Sequence, residues 1–372
     1  MATAVPDQLV DTGSHVSDIY ASYGVQMNTL SVEELFELYE RSGFLYPEKA
    51  TRLRPHITKI KDNWRRMLAS EDSLVSVLTA GDSYHGMASL TVWRTAQRGS
   101  TLQHLVSENN PFASRAVMLA SGAASMANKS EDSGQNWFRP QNRFPARVFG
   151  SVVEAVGPAR SSVQRLSYFA LSRKLAYVPE PEVYVVPYEG SHKATLCALS
   201  ASVRGQIYVV AEGLAGDVEF AGINRLYRRV GLQRTRHVWL AFKTRTQEVI
   251  GAVIAYRGPL GINFSYLENR CDLLISHAAS RVETTSAVRA LLRAAVAAYQ
   301  DFELEEIPLI VDDHAAQACR ELGAEFLRYY CQGIWLKDGC SAFYHHIDGF
   351  YSRLLQRAER HSGREALVGS HQ

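Results

Sequence analysis

Arginine side chains stand among aromatic rings in one stretch of the chain, residues 137–149. Guanidinium groups stack on aromatic faces, so this stretch could bind a planar ligand, but packing at a junction between domains would use the same residue types. A second stretch, residues 225–237, is dense in arginine. It could contact the phosphates of a nucleotide or an acidic substrate, and a solvated helix face is the alternative.

Histidine and cysteine could supply proton transfer or bind a metal. His277 follows a predicted strand and has the side chain best matched to proton transfer near neutral pH, although a solvated strand end is an equally simple role. His345 and His346 have no further ligands at metal spacing, so we expect no metal site. The cysteines are odd in number and form no CxxC pair, which favours reduced thiols in a cytoplasmic protein. They stand at positions 197, 271, 319, 331 and 340.

Length and composition describe an ordinary globular protein of two domains. The chain has 372 residues, of which 46% are hydrophobic and 21% charged. Its net charge of +2 gives no electrostatic reason to expect nucleic acid as a partner. No apolar run approaches the ~20 residues that a membrane helix needs, and the N-terminus lacks the pattern of a secretory signal. We therefore expect a cytoplasmic protein without a membrane partner.

The first half of the chain predicts two helices followed by a sheet. Ser31, with Glu34 three residues later, forms a capping-box pattern at the start of a helix over 31–44. Periodic and alternating stretches then follow in the order helix, three antiparallel strands, helix, strand, helix and strand. These elements are predicted at 57–69, 74–81, 87–95, 101–108, 113–127, near 137, 147–156 and 162–171.

The second half repeats this order after a proline-containing linker. Pro179 and Pro181 favour an extended segment, so we place the boundary at 176–182. Elements of the same kinds then recur in nearly the same order, which indicates a duplication. They are predicted as strands at 183–187, 237–244, 248–258, 262–268, 271–276, 307–311 and 325–336, and as helices at 192–203, 217–231, 286–302 and 314–322.

This duplicated order resembles a tandem arrangement of the GNAT acyltransferase superfamily. The similarity is best in residues 310–326, where Asp312, Ala315, Leu322 and Gly323 occupy places of the family's penultimate strand and following helix. It implies an α/β (α+β) fold of two units, each a central, mostly antiparallel mixed sheet flanked by helices. The expected divisions are a disordered lead-in at 1–23, units at 24–175 and 183–338, and a C-terminal extension and tail at 339–372.

The resemblance also implies a cofactor site in the second unit. In the family, acetyl-CoA or another acyl-CoA lies between the splayed fourth and fifth strands, with its pyrophosphate at the start of the next helix. Helix N-termini bind anions because their first N–H groups have no partner within the helix. We therefore expect the main cleft of the second unit between strands 271–276 and 307–311, with N–H groups at about 283–287 that have no partner within the helix. The implied cofactor-binding residues are Arg281, Thr284, Thr285, Ser286 and Asp312.

The family's chemistry needs a base for the amine and an acid for the leaving thiolate. The resemblance makes Glu268 or Asp272 the candidate base, and Cys319 takes the place of the family's acidic tyrosine. Ordinary turn charges and a small buried thiol are the alternatives. The implied function is N-acyl transfer from an acyl-CoA, or a related carrier, to a small-molecule or peptide amine in the C-terminal unit. A catalytically silent GNAT-like module that binds a ligand or a protein is the alternative, favoured by the absence of glycine at 281–288.

Overall fold

A computed structural model describes residues 12–369, with side chains described for 16–357. The helices are α1 (Thr12–Ser22), α2 (Val32–Arg41), α3 (Pro47–Leu53), α4 (Ile57–Leu68), α5 (Pro111–Ala127), α6 (Arg143–Phe149), α7 (Val152–Val156), α8 (Lys193–Arg204), α9 (Gln206–Ala211), α10 (Ala221–Arg229), α11 (Arg281–Ala298), α12 (Asp313–Glu321) and α13 (Cys340–Gly369). The strands are β1 (Gln26–Met27), β2 (Val75–Asp82), β3 (Gly86–Ala96), β4 (Gly99–Ser107), β5 (Ser133–Phe138), β6 (Ser161–Ser172), β7 (Val183–Pro187), β8 (Thr235–Lys243), β9 (Val249–Arg257), β10 (Cys271–Ile275), β11 (Glu306–Val311) and β12 (Glu325–Leu336).

All of these strands belong to one sheet, and their order is symmetric. The order is β1-β2-β3-β4-β5-β12-β6-β11-β10-β9-β8-β7. Counted from opposite edges of the sheet, β1 to β5 match β7 to β11 one by one, and β6 and β12 lie side by side at the centre. Among the described ladders, β4–β5 and β10–β11 are parallel and the others are antiparallel. The sheet is therefore mixed but mostly antiparallel, which confirms the predicted fold class.

The two halves exchange their last strands at the centre of the sheet. β12 lies between β5 and β6, and β6 lies between β12 and β11. The β6–β12 ladder runs from the pair Ser161–Trp335 to the pair Ala170–Glu325. Each half thus contributes a strand to the other half's sheet, so their packing is interdependent. Sequence periodicity predicts both strands but not this exchange.

Amphipathic helices cover the sheet on both faces. On α4, Ile60, Trp64 and Met67 are fully buried at helical spacing, because their side chains project from one face. They join a core that continues into the second half, whereas α1, α5, α7 and α13 pack over a separate core of the first half. α13 contacts both α5 and α7. The predicted C-terminal extension therefore completes the helical layer over the first half.

Some predicted elements differ from the structure. Part of the predicted disordered lead-in is the helix α1, because Tyr20 and Val25 are buried against the core of the first half; residues 1–11 lie outside the described residues. The predicted strand at 262–268 is irregular, with Tyr266 in the left-handed conformation at φ 59°. The capping box of Ser31 and Glu34 is confirmed. In the described range 12–369, no helix has the length and apolar character needed to span a membrane.

Candidate functional site

The fourth and fifth strands of the first half separate after a short parallel ladder. The ladder pairs Gly99–Leu102 with Ser133–Asn136, while β4 continues to Ser107 and β5 to Phe138. The pairing of β4 with β3 also shifts register just beyond this point, where His104 has a φ of 51°. A residue added on one strand produces such a bulge and bends the strand. The backbone of β4 beyond Leu102 therefore leaves its parallel partner.

A cavity of about 490 Å³ lies at this separation. Its walls come from the ends of β4 and β5, from the α2–α3 segment, from α6 and from the irregular segment 263–267 of the second half. Apolar side chains supply much of the surface, as is usual for sites that bind organic molecules. They include Phe44, Leu102, Leu105, Phe138, Phe144 and Phe149.

Three residues of the cavity wall carry buried polar atoms without a hydrogen-bond partner among the described residues. These atoms are both ring nitrogens of His104, Oδ1 of Asn136 and Nε1 of Trp137. Buried polar groups are nearly always hydrogen-bonded, because an unpaired one costs about 1–3 kcal/mol. Such atoms at a cavity wall suit a polar ligand.

His104 is held in an aromatic cluster and is neutral. Its ring stacks on Trp64, with centroids 5.7 Å apart and an interplanar angle of 9°, and lies 4.3 Å from the ring of Phe264. Burial, followed by the charge of Lys49, holds the pKa of His104 well below its usual value. A neutral imidazole offers one donor and one acceptor. His104 can therefore form hydrogen bonds with a ligand without carrying charge.

Lys49 is the buried cation of the cavity. Its Nζ donates to the Phe44 carbonyl at 2.9 Å and lies 3.6 Å from the centroid of the Phe44 ring. Burial, then the charges of Arg139 and Arg52, lower the pKa of Lys49 to about 7. Arg139 also lines the cavity and donates to the Tyr46 hydroxyl at 2.6 Å. The cavity therefore has a cationic side.

The corresponding place in the second half is joined by side chains. The β10–β11 ladder pairs Cys271–Leu273 with Leu309–Val311, where β11 ends. Just beyond it, His277 Nε2 lies 2.9 Å from Asp312 Oδ2 and Thr284 Oγ1 lies 3.2 Å from His314 Nε2. The 490 Å³ cavity thus lies in the first half, whereas the sequence-based prediction placed the main cleft between β10 and β11.

The N-terminus of α11 is satisfied by its own residues. The Glu283 carboxylate accepts from the Ser280 N–H at 2.8 Å and pairs with Lys243 at 2.7 Å. Hydrogen bonds from Lys243 and Ser280 lower the pKa of Glu283 to about 2. The helix begins at Arg281, so the Thr284 N–H already donates to the Ser280 carbonyl and the Glu283 N–H to the Ser280 hydroxyl. The expectation that N–H groups from 283 onward lack a partner within the helix is wrong for Thr284, whereas the Glu283 N–H is bound by the hydroxyl of the N-cap residue Ser280.

The other predicted cofactor-binding residues surround this helix start. Arg281 is exposed and pairs with Glu321 at 3.0 Å, and Thr285 donates to the Arg281 carbonyl. Asp312 caps α12 by accepting from the Ala315 N–H at 3.2 Å. Ser286 is half-buried. The binding role of this group stays a prediction.

The predicted catalytic residues are buried and do not line the cavity. Glu268 pairs with Arg234 at 2.8 Å, and Asp272 pairs with Arg270 at 2.9 Å. Cys319 is fully buried, and burial raises the pKa of its thiol. Glu268 comes nearest to the cavity, because Nε2 of the wall residue Gln103 lies 3.4 Å from its carboxylate. Their catalytic roles stay predictions.

One sequence signal pointed toward the cavity and the others did not. The stretch 137–149, with its mixture of arginine and aromatic residues, supplies Trp137, Arg139 and Phe144 to the wall. By contrast, Arg234 and Arg236 of the second basic stretch are buried in ion pairs and do not form a solvated face. Lys49 and His104 carry no local motif, so periodicity could not have singled them out.

Comparisons with known proteins find similarity among solved structures. No protein-family model and no curated protein matches the chain. A Drosophila protein is 12% identical over 85% of this chain and 99% of its own, with a TM-score of 0.47. A tandem GNAT protein of the clavulanic acid biosynthesis pathway is 11% identical over 74% of this chain and 88% of its own, with a TM-score of 0.40. A GCN5-related N-acetyltransferase from Sphaerobacter thermophilus is 10% identical over 71% and 81%, with a TM-score of 0.39.

The two halves repeat one arrangement of strands and helices, as the predicted duplication requires. Apart from the predicted strand at 262–268, the predicted strands are present in both halves in the predicted order. In both halves the fourth and fifth strands pair in parallel, while the other described ladders are antiparallel. In the first half this strand pair separates beside the cavity, to whose wall the second half adds segment 263–267 and Tyr330. In the second half the β10–β11 ladder pairs three residues of each strand.

Proposed function

We propose that the protein is a GNAT-type N-acyltransferase that uses the cavity between β4 and β5 to hold the acyl carrier. The observation that carries this proposal is the separation of the parallel β4–β5 pair beyond Leu102, with a cavity of about 490 Å³ beside it. Coenzyme A, or a related pantetheine, is the carrier implied by the GNAT resemblance. The acceptor is an amine of a small molecule or peptide. The proposed units are 24–175 and 183–338, and the second unit contributes segment 263–267 to the cavity wall.

Residues of the cavity wall supply what such a transfer needs. The carrier supplies a thioester: the amine nitrogen forms a bond to its carbonyl carbon, the carbon–sulfur bond breaks, and the proton lost by the nitrogen ends on the thiolate. Attack requires a neutral amine. Lys49, Arg52 and Arg139 disfavour another positive charge nearby, as the lowered pKa of Lys49 illustrates. The same charges would favour the neutral form of an acceptor amine.

The first half fits the arm of such a carrier better than its diphosphate. α5 begins at Pro111, which has no N–H group, and the N-cap Asn110 accepts from the Ala113 N–H. α13 packs against the same turn, where Tyr351 Oη lies 2.6 Å from Ser114 Oγ. These contacts use positions where a diphosphate would need donors. We therefore propose that the pantetheine arm contributes most of the binding free energy.

A specific observation favours the second candidate function, a catalytically silent module that binds a ligand. Both helix starts that the family uses for phosphate are capped by the chain's own side chains, Asn110 on α5 and Ser280 on α11. A third arrangement keeps activity in the C-terminal unit, with Glu268 or Asp272 as base, Cys319 as acid and the α11 residues as phosphate site. It would require the contact between His277 and Asp312 to open.

We also propose a cytoplasmic location, supported by five free cysteines.

Acetyl-CoA should raise the melting temperature of the wild type and of Thr285→Trp, but not of Leu105→Trp. Leu105 lines the cavity on β4 beyond the parallel ladder, so a tryptophan there fills the proposed binding space. Thr285 lies in the first turn of α11, at the alternative site in the second half. A ligand that binds only the folded state stabilises it by mass action, by ~3–6 °C at one hundred times its Kd for a protein of this size. The measurement is a thermal unfolding series with acetyl-CoA, repeated with S-acetylpantetheine.

The variants also separate the three arrangements. Loss of the shift in Thr285→Trp alone would move the site to the C-terminal half. Binding by the wild type without release of free thiol in the presence of amines would favour the silent module. If neither acetyl-CoA nor S-acetylpantetheine shifts the wild type, the acyl-carrier proposal fails.

A further inference from the structure

Three cations stand at the cavity without an acidic partner. Lys49 and Arg139 line it, and Arg52 is close enough to lower the pKa of Lys49. Among the residues whose side chains are described, no ion pair includes any of the three. The lining residues include no aspartate or glutamate. Lys49 is buried, and Arg52 and Arg139 are half-buried. Because buried charges in proteins are normally paired, Lys49 calls for a counter-charge from outside the chain.

Among the residues whose side chains are described, three of the four buried arginines are paired with carboxylates. Arg234 lies 2.8 Å from Glu268, and Arg270 lies 2.8 Å from Glu212 and 2.9 Å from Asp272. The nearest acid in sequence to Lys49 is Glu48, whose side chain is 77% exposed and 3.7 Å from Arg328. Arg204 is the exception: it is buried without an acidic partner and donates to Gln164 and Gln332. The cavity cations, like Arg204, are held by neutral groups, but unlike Arg204 they stand at a cavity that a ligand can enter.

Neutral groups hold the three cationic heads in position. Lys49 donates to the Phe44 carbonyl at 2.9 Å, Arg52 to the Phe264 carbonyl at 2.7 Å, and Arg139 to the Tyr46 hydroxyl at 2.6 Å. Each contact fixes a side chain without cancelling its charge. Cations ordered in advance lose little side-chain entropy when an anion binds. The arrangement is thus suited to bind an anionic group.

Resting on the proposed acyl transfer, we infer that the acceptor carries a carboxylate, which Lys49 and Arg139 bind, and an apolar body that contacts the aromatic wall. Aromatic and aliphatic wall residues, such as Phe44, Phe138 and Leu105, suit an apolar body. Lys49 and Arg139 already donate one hydrogen bond each to neutral groups, which leaves fewer N–H donors for a ligand. This favours a carboxylate, which needs fewer donors than a phosphate. The acceptor class is therefore an amino acid or a related amino carboxylic acid with an apolar side chain.

The test compares a carboxylate with its neutral amide in the absence of any acyl carrier. Calorimetric titration of the wild type with 3-phenylpropanoate and 3-phenylpropanamide should show at least tenfold tighter binding of the acid. Lys49→Met should remove most of this preference by weakening acid binding far more than amide binding. Lys129→Met is the matched control, because Lys129 is exposed and should leave both affinities unchanged. At pH 8, acid binding should take up protons, since an anion beside Lys49 raises its pKa, and this uptake should vanish in Lys49→Met.

Several results would overturn the inference. They are equal binding of acid and amide, failure of both to bind, a preference for the acid that survives in Lys49→Met, or tighter binding of phenyl phosphate than of the carboxylate. These titrations contain no acyl carrier, so they are independent of the thermal unfolding series with acetyl-CoA. If the protein prefers the acid but acetyl-CoA does not raise its melting temperature, the acyl-transfer proposal fails while the carboxylate site stands.

Discussion

Replacing Lys49 by methionine should stabilise the free protein at pH 6.5 by about 3–5 kcal/mol. Methionine fills a similar volume without charge, whereas Lys49 is 8% exposed and faces Arg52 and Arg139. The pKa of Lys49 is about 7 in the folded state against 10.5 for the unfolded side chain. Folding below pH 7 must therefore bury a proton-bearing amine among like charges, and the substitution removes that cost.

The stability gained by Lys49→Met should decrease as the pH rises. Between pH 7 and 10.5 the unfolded chain holds the Lys49 proton and the folded chain does not, so wild-type stability rises with pH across this window. The advantage of Lys49→Met is then largest below pH 7 and shrinks toward pH 10. Other groups near Lys49, namely Arg52, Arg139, His104 and the exposed Glu48, are present in both proteins, so their contributions largely cancel in the difference.

Urea unfolding of both proteins at pH 6.5, 8 and 9.5 measures this difference. Lys129→Met, at an exposed position, should change stability by less than about 0.5 kcal/mol at every pH. If Lys49→Met is destabilising at pH 6.5, or if its advantage is the same at pH 9.5, then the positive cluster is compensated within the chain. Stability gained at the expense of ligand binding would be the usual exchange at a functional site.

Local sequence patterns predicted the elements of the fold because those patterns act over a few residues. The capping box at Ser31 and the spacing of Ile60, Trp64 and Met67 each depend on neighbours within one or two turns. The repeated order of elements followed from these signals. The symmetric strand order agrees with it.

Features that depend on distant partners were not predictable in this way. The left-handed conformation of His104 arises where β4 shifts register against β3, and no residue type at 104 signals it. The exchange of β6 and β12 joins positions more than 150 residues apart in sequence, as the pair Ser161–Trp335 illustrates. Lys49 and segment 263–267 line the same cavity although they belong to different halves of the chain.

The predicted site was placed in the second half because its sequence motif lies there. Asp312 does cap α12, but the capping acid also contacts His277, so the motif joins the two strand ends. A cap and a ligand-binding group use the same residue types, and sequence alone does not distinguish them. The open strand pair lies instead in the half whose helix start carries Pro111.

The centre of the molecule contains a buried ion network that joins the strand ends to α9. Glu212 accepts from Arg270 at 2.8 Å and from the Tyr256 hydroxyl at 2.8 Å, and Arg236 lies 3.8 Å away. Burial alone would raise the pKa of Glu212, but the charges of Arg270 and Arg236 outweigh it and lower the pKa. Glu212 is therefore ionised at neutral pH and balances two buried arginines.

Replacing Glu212 by glutamine should destabilise the protein by about 3–5 kcal/mol, because removal of one charge leaves buried arginines without their counter-charge. Glutamine keeps the volume and a hydrogen-bond acceptor, so the loss reports the charge. In this variant Arg270 would still be paired with Asp272, whereas Arg236 would have no carboxylate within 4 Å among the residues whose side chains are described.

The control is Glu248→Gln: this side chain is 65% exposed and 3.5 Å from Lys243, and exposed pairs contribute about 0–1 kcal/mol. Chemical denaturation at pH 7 measures both variants, and a double variant with Arg236→Met should recover part of the loss through coupling of adjacent sites. A loss below about 1 kcal/mol for Glu212→Gln would mean that these arginines do not depend on Glu212 for their charge balance.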